Sequence, residues 1–139
     1  MLIIIEAKKS KLINRVIVSS DDDEILNIAR KYGAETPFKR PKEISGDNSK
    51  MIDVLSHVVK FLINRNESIE AIVLLQPTSP LLSVKSLENA IEFIFLNKNI
   101  DSLISVKEER HLSWKYKNGE YLPDYKERKN RQYLAPKFV

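Results

Sequence analysis

Three polar side chains in Gln76-Pro77-Thr78-Ser79-Pro80 follow directly on an apolar run ending in Leu74-Leu75. Pro77 removes a backbone donor and fixes its own φ, so a strand through Leu75 cannot extend its ladder past Gln76. The Gln76 amide then stands at a strand end with both donors and an acceptor, and the hydroxyls of Thr78 and Ser79 come just behind it. Such a turn can recognise a polyhydroxylated or anionic ligand. Pro80 stiffens the loop and lowers the entropy lost when a ligand orders it. A rigid turn leading into a serine-capped helix accounts for the same residues.

Further candidates have paired readings. Clustered carboxylates at Asp21-Asp22-Asp23 suit magnesium or a hydroxyl, but a solvated helix cap accounts for them more readily. A phosphoacceptor aspartate of a receiver domain also sits at a strand end, but the order of elements here does not supply its partner lysine. Arg40-Pro41 holds Arg40 extended and can aim a guanidinium at a phosphate, a carboxylate or a base oxygen, or simply at water. His57 lies among Val54, Leu55 and Val58 on a helical stripe, as a packed histidine does. His111 has no second histidine near it. With no cysteine, no histidine pair and no serine nucleophile elbow, covalent catalysis is not expected.

The elements that must position these groups alternate. Val16–Ser19 is a short β-branched run entering the acidic loop, as a buried strand does. A helix follows, with Ile25, Ile28, Ala29 and Tyr32 predicted to face inward, Asp21 to Glu24 capping it and Gly33 ending it. A second helix carries Ile52, Leu55, Val58, Val59 and Leu62, with Asp47, Asn48 and Ser49 as cap candidates, and ends near Asn64. Ala71–Leu75 reads as a strand covered on both faces. A third helix, capped by Ser83 or Ser86, presents Leu87, Ala90, Ile91, Ile94 and Phe95, and Ser102–Val106 is the last strand. This order predicts a three-layer α/β/α sandwich with a mainly parallel, Rossmann-like sheet over residues 1–106, ligands lying beyond the strands' carboxyl ends. Residues 107–139 read as an extension that packs on something, such as a second subunit.

The chain's 139 residues, 42% of them hydrophobic, suffice for one core. The absence of cysteine removes disulfides and thiolate metal sites and fits a reducing compartment. The opening MLIIIEAKKSKL has its lysines after the apolar stretch, which does not read as a signal peptide, and no run is long enough to span a membrane. A soluble, cytoplasmic protein is expected. The net charge is +4, and all of the excess follows Val106, with 9 basic against 5 acidic residues there. Acids interleave with those bases, so the stripe needed for nucleic acid is lacking and a small anionic ligand fits at least as well.

Taken in order, VIVSSDDDEI, KYGAETPFKRPKEISGD followed by IDV, VLLQPTSPL, SLISV and RQYLAP resemble the acylneuraminate cytidylyltransferases, or CMP-sialic acid synthetases. The resemblance covers essentially the whole chain. It implies a nucleotidyltransferase of the nucleotide-diphospho-sugar type that dimerises, uses magnesium, and joins CTP to a nine-carbon acidic sugar with release of pyrophosphate. It places Arg40, Asp47, Ser20 and Asp21 on the nucleotide side. Gln76, Thr78 and Ser79 fall beside the sugar, and Arg131 reaches the sugar site of a partner subunit. Met51 stands where the family has a serine two residues before Asp53, at the base pocket.

Two family parts are expected to lie outside this chain: the glycine-rich phosphate loop before it and the aspartate-bearing strand after it that holds magnesium. The resemblance therefore implies a piece truncated at both ends, with no metal ligand and no assigned catalytic residue of its own. Phosphoryl chemistry needs both parts, so the chain alone is expected to be inactive. A reading from another class is a non-catalytic sugar-binding or subunit-pairing module derived from that family. Unpaired sheet edges would leave the isolated chain marginally stable and prone to associate.

Overall fold

The computed structural model describes residues 2–139. They form two compact units, one ending at Asn99 and the other beginning at Ile100. The first unit contains α1 (Leu2–Lys9), α2 (Asp23–Lys31), α3 (Met51–Ile63) and α4 (Val84–Leu96), with a 3-10 turn at Lys42–Ile44.

Helix α1 contains three successive isoleucines, residues with no special helix preference, so packing decides its state. Ile4 and Ala7, one turn apart, are buried, and Lys8 and Lys9 occupy the last turn, where the helix dipole favours cations. The helix lies against α4, and both the Ser10 hydroxyl and the Lys11 N–H donate to the Glu88 carboxylate, at 3.0 and 2.9 Å.

In α2 the Asp22 carboxylate caps the helix by accepting the Ile25 N–H at 3.0 Å, and Gly33 follows the helix at φ +79°. Its buried face differs from the one read in the sequence. Leu26 and Ala29 are buried and Ile28 is half-buried, whereas Ile25 and Tyr32 are 49% and 43% exposed. Docking through the Leu26/Ala29 pair turns the Ile25 edge toward solvent. Ala29 joins Ile4 and Ala34 in the core, with Ile3, Val16 and Val18 packed around them.

Helix α3 buries Val54 and Leu62 and half-buries Leu55, Val58 and Val59, but Ile52 is exposed. None of Asp47, Asn48 and Ser49 caps it; the N-cap is Lys50, without a side-chain bond. The Ser83 hydroxyl caps α4 by accepting the Ser86 N–H at 3.1 Å. Leu87 and Ile91 face inward, and Phe95 stays 48% exposed.

The expected parallel sheet is not assembled by the described residues. Val16–Ser19 contributes a single parallel bridge, Ile17 to Glu35, with the Val18 N–H donating to the Glu35 carbonyl at 2.9 Å and the Glu35 N–H to the Val16 carbonyl at 2.8 Å. Ala71–Leu75 and Ser102–Val106 belong to no ladder. A strand exists only where a neighbour takes its N–H and C=O groups, and among the described residues these two runs have no such neighbour, whatever their β propensity.

The second unit pairs β1 (Glu108–Glu109) antiparallel with β4 (Lys137–Phe138), and β2 (Trp114–Lys117) antiparallel with β3 (Glu120–Pro123). Asn118 and Gly119, at φ 54° and 87°, close the β2–β3 hairpin with the two-residue positive-φ turn that suits strand twist. Tyr116 and Tyr121 face each other across it with ring centroids 5.0 Å apart, and Trp114 meets Tyr125 edge-on at 5.9 Å. A 3-10 turn spans Arg131–Tyr133.

Candidate functional site

Ser20, Asp21 and Arg40 come together where the Val16–Ser19 segment ends. The Arg40 N–H donates to the Ser20 carbonyl at 2.8 Å, which ties the Arg-Pro loop to that end. The guanidinium donates through Nε to the Ser45 hydroxyl at 3.2 Å and through its second nitrogen to Asp21 Oδ1 at 3.3 Å. Ser45 in turn donates to the Pro41 carbonyl at 2.8 Å. Ser20 is buried, and its hydroxyl accepts the Asp22 N–H at 3.1 Å. The Ser19 hydroxyl beside it is buried with no hydrogen-bond partner, an unsatisfied group at the edge of this cluster.

The loop approaching Arg40 is gripped from α3. The Phe38 ring meets His57 edge-on at 4.7 Å and Phe61 at 4.9 Å. His57 is thus a packing residue, with its Nδ1 buried and unpartnered. Phe38 and Ser45 both position Arg40 and neither was singled out in the sequence; an aromatic residue two places before the arginine in PFKRP was the available cue. Asp47 lies exposed in the turn that Ser49 closes onto the Gly46 carbonyl at 2.9 Å.

Each aspartate of the cluster is engaged. The Asp21 carboxyl is held below its ordinary value, first by its own backbone N–H and then by the Arg40 guanidinium. Asp22 is the α2 cap, and Asp23 pairs with Lys39 at 2.5 Å. Among the described residues no group of three or more histidine or acidic side chains is placed to hold a metal ion.

Gln76 to Ser79 form a β-turn closed by the Ser79 N–H on the Gln76 carbonyl at 3.1 Å, with Pro77 at the second position it favours. The Gln76, Thr78 and Ser79 side chains are all exposed. In the second unit, Arg131 lines a cleft of about 300 Å³ together with Arg110, His111, Arg128 and Lys129. Glu108 pairs with Arg110 at 2.6 Å and Glu127 lies 3.9 Å from Lys129, while Arg128 and Arg131 have no ion pair among the described residues. The cleft is therefore suited to an anion.

A profile of the family described as Cytidylyltransferase matches residues 2–124. The chain belongs to the cytidylyltransferase family. The resemblance drawn from its ordered motifs is upheld, and with it membership of a family of nucleotidyltransferases and an α/β fold class. The chain is 34% identical over 93 residues to a pseudaminic acid cytidylyltransferase of Campylobacter jejuni, a stretch covering 67% of this chain and 40% of that protein. To N-acylneuraminate cytidylyltransferase A of Danio rerio it is 33% identical over 109 residues, 78% of this chain and 24% of that one. To a CMP-N,N'-diacetyllegionaminic acid synthase of Legionella pneumophila it is 30% identical over 92 residues, 64% of this chain and 38% of that one. The match thus spans well under half the length of each. No described helix is long and apolar enough to cross a membrane.

Proposed function

We propose that this chain carries nucleotide and sugar contacts of a cytidylyltransferase that joins CTP to a nine-carbon acidic sugar, N-acylneuraminate or a relative, giving the CMP-sugar and pyrophosphate. The observation that carries the reading is the tie of Arg40 to Ser20 and Asp21 within a chain whose family match spans residues 2–124. In this reading Arg40 meets the nucleotide, with Asp47, Ser20 and Asp21 around it. Gln76, Thr78 and Ser79 hydrogen-bond the sugar from a rigid turn, and Arg131 meets the carboxylate of an acidic sugar across a homodimer of a cytoplasmic enzyme. The sugar's anomeric hydroxyl attacks the α-phosphorus of CTP and pyrophosphate leaves, with these side chains contributing orientation and charge. Magnesium is proposed for the complete enzyme, on ligands outside this chain. The complete enzyme is likewise proposed to close the three-layer sandwich with its mainly parallel sheet.

The test is pyrophosphate release from CTP with N-acylneuraminate, pseudaminate or legionaminate, using this chain alone and with the flanking segments of a relative supplied separately. Release that needs the flanks and disappears in Arg40→Ala is expected. Sugar binding without turnover under every complementation would instead favour the non-catalytic sugar-binding or subunit-pairing module.

A further inference from the structure

The tip of the β2–β3 hairpin is the one place in the chain where an asparagine precedes a glycine, at Asn118-Gly119. In that pair a side-chain amide and the next backbone nitrogen meet with least obstruction, because glycine carries no Cβ to crowd the approach. Both groups are free here. Among the described residues no hydrogen bond engages the Asn118 amide or the Gly119 N–H. Both residues are exposed, and a Cβ built on Gly119 would meet nothing within 4 Å. Asn118 sits at φ 54°, a left-handed conformation that asparagine tolerates but does not prefer. The strands that hold the turn restrain it little. Every residue of β2 and β3 is exposed, and a two-stranded hairpin of this kind is marginal and opens locally.

We propose that Asn118-Gly119 is a spontaneous modification site, where the chain converts its own asparagine to isoaspartate with water as the only co-reactant. The Gly119 nitrogen attacks Cγ of the Asn118 amide and the new C–N bond closes a succinimide ring. The Cγ–Nδ2 bond breaks, and ammonia leaves with the proton lost from Gly119. Water then adds to one of the two imide carbonyls and the ring opens. Addition at Cγ restores the original backbone as aspartate, whereas addition at the α-carbonyl leaves the main chain running through Cβ and Cγ as isoaspartate. That product puts one extra methylene and a carboxylate into a two-residue turn. The lengthened turn no longer fits the Lys117 to Glu120 register, so β2 and β3 separate and the Tyr116–Tyr121 ring contact is lost.

The experiment is incubation of the full chain in neutral buffer, followed by peptide mass mapping over time and by labelling of isoaspartyl carboxylates with an isoaspartyl methyltransferase. The amide-to-acid mass gain and the methyl label should appear first on the peptide containing Asn118. Its rate should lie within about tenfold of that of a free peptide of residues 115–122, because the hairpin opens readily. Asn118→Asp keeps an Asp-Gly pair suited to the turn, and in it the early mass gain should vanish. Nuclear Overhauser contacts between the Tyr116 and Tyr121 rings should disappear in the modified chain. A rate more than tenfold below that of the free peptide, or an earlier gain at another asparagine such as Asn48, would overturn the proposal. Aspartate formed without isoaspartate would indicate direct amide hydrolysis and overturn the ring closure. Ring contacts retained in the modified chain would overturn the opening of the hairpin. None of these readouts depends on nucleotide or sugar, so they stand or fall apart from the enzymatic reading.

Discussion

Arg40 makes one main-chain and two side-chain hydrogen bonds that fix its approach to Ser20 and Asp21. Removing a charged hydrogen-bond donor to a ligand costs about 1.5–3 kcal/mol, so Arg40→Ala should weaken CTP binding at least tenfold while leaving the helical circular dichroism intact. Arg40→Lys should not restore it, because an ammonium cannot hold Ser45 and Asp21 with a planar fork. Asp21 supplies a pH prediction. Its folded carboxyl binds a proton more weakly than the unfolded one, so its contribution is complete above the ordinary aspartate value near pH 4 and is lost as pH falls through the lower folded value. A carbon-13 titration of Asp21 should give a midpoint below that of an unfolded aspartate, and Arg40→Ala should move it up. An unmoved midpoint would assign the lowering to its own backbone N–H and the Lys39 charge. At this scale the sequence singled out Arg40 and Asp21 by residue type, and folding brings the two side chains within hydrogen-bond distance. Phe38 and Ser45 escaped notice because their roles are contacts to groups brought near only by folding.

Three of the four helices of the first unit were legible as elements because their apolar spacing is local, with Asp22 and Ser83 sitting where cap chemistry requires them, whereas α1, with its run of isoleucines, was not read as a helix. The face of α2 was misread because Ile25 and Leu26 are equally apolar, and only docking against Ile4 and Ala34 decides between them. The β2–β3 hairpin was missed although Asn118-Gly119 signals it, because the flanking strands are exposed and charged and carry no core pattern. Gly33 gives a prediction for the α2 exit. Gly33→Ala should destabilise the first unit by about 1 kcal/mol, since an L side chain at φ +79° is strained. An added Cβ would meet Lys8 Nζ at 2.8 Å, but that flexible tip can move away, at the cost of its 2.7 Å bond to the Gly33 carbonyl. A melting temperature equal to that of the original chain would contradict the strain. Arg15 joins Glu35, through two bonds at 2.9 and 2.5 Å, to Glu67, and so links three segments. Arg15→Ala should cost roughly 1 kcal/mol in denaturant unfolding, with a smaller loss at high salt.

For the whole molecule, the parallel sheet read in the sequence is not assembled by the described residues, because pairing depends on neighbours that a run such as Ala71–Leu75 cannot specify by itself. Its consequence is exposed apolar surface: Leu81, Leu96 and Ile104 are 92%, 81% and 78% exposed. Surface of this kind favours association, so sedimentation of the isolated chain should show self-association that rises with concentration and with sulfate. A monomer at every concentration, melting in one cooperative transition, would contradict that expectation. We propose above all that the Ser20–Asp21–Arg40 cluster is the nucleotide side of a cytidylyltransferase. Its most direct test is a titration of the labelled chain with CTP, followed through the backbone amide resonances. Saturable shifts centred on Ser20, Asp21, Arg40 and Ser45, weaker with GTP and lost in Arg40→Ala, are the predicted result. Saturable shifts that bypass this cluster, or no shifts from a chain whose amide spectrum is that of a folded protein, would contradict it.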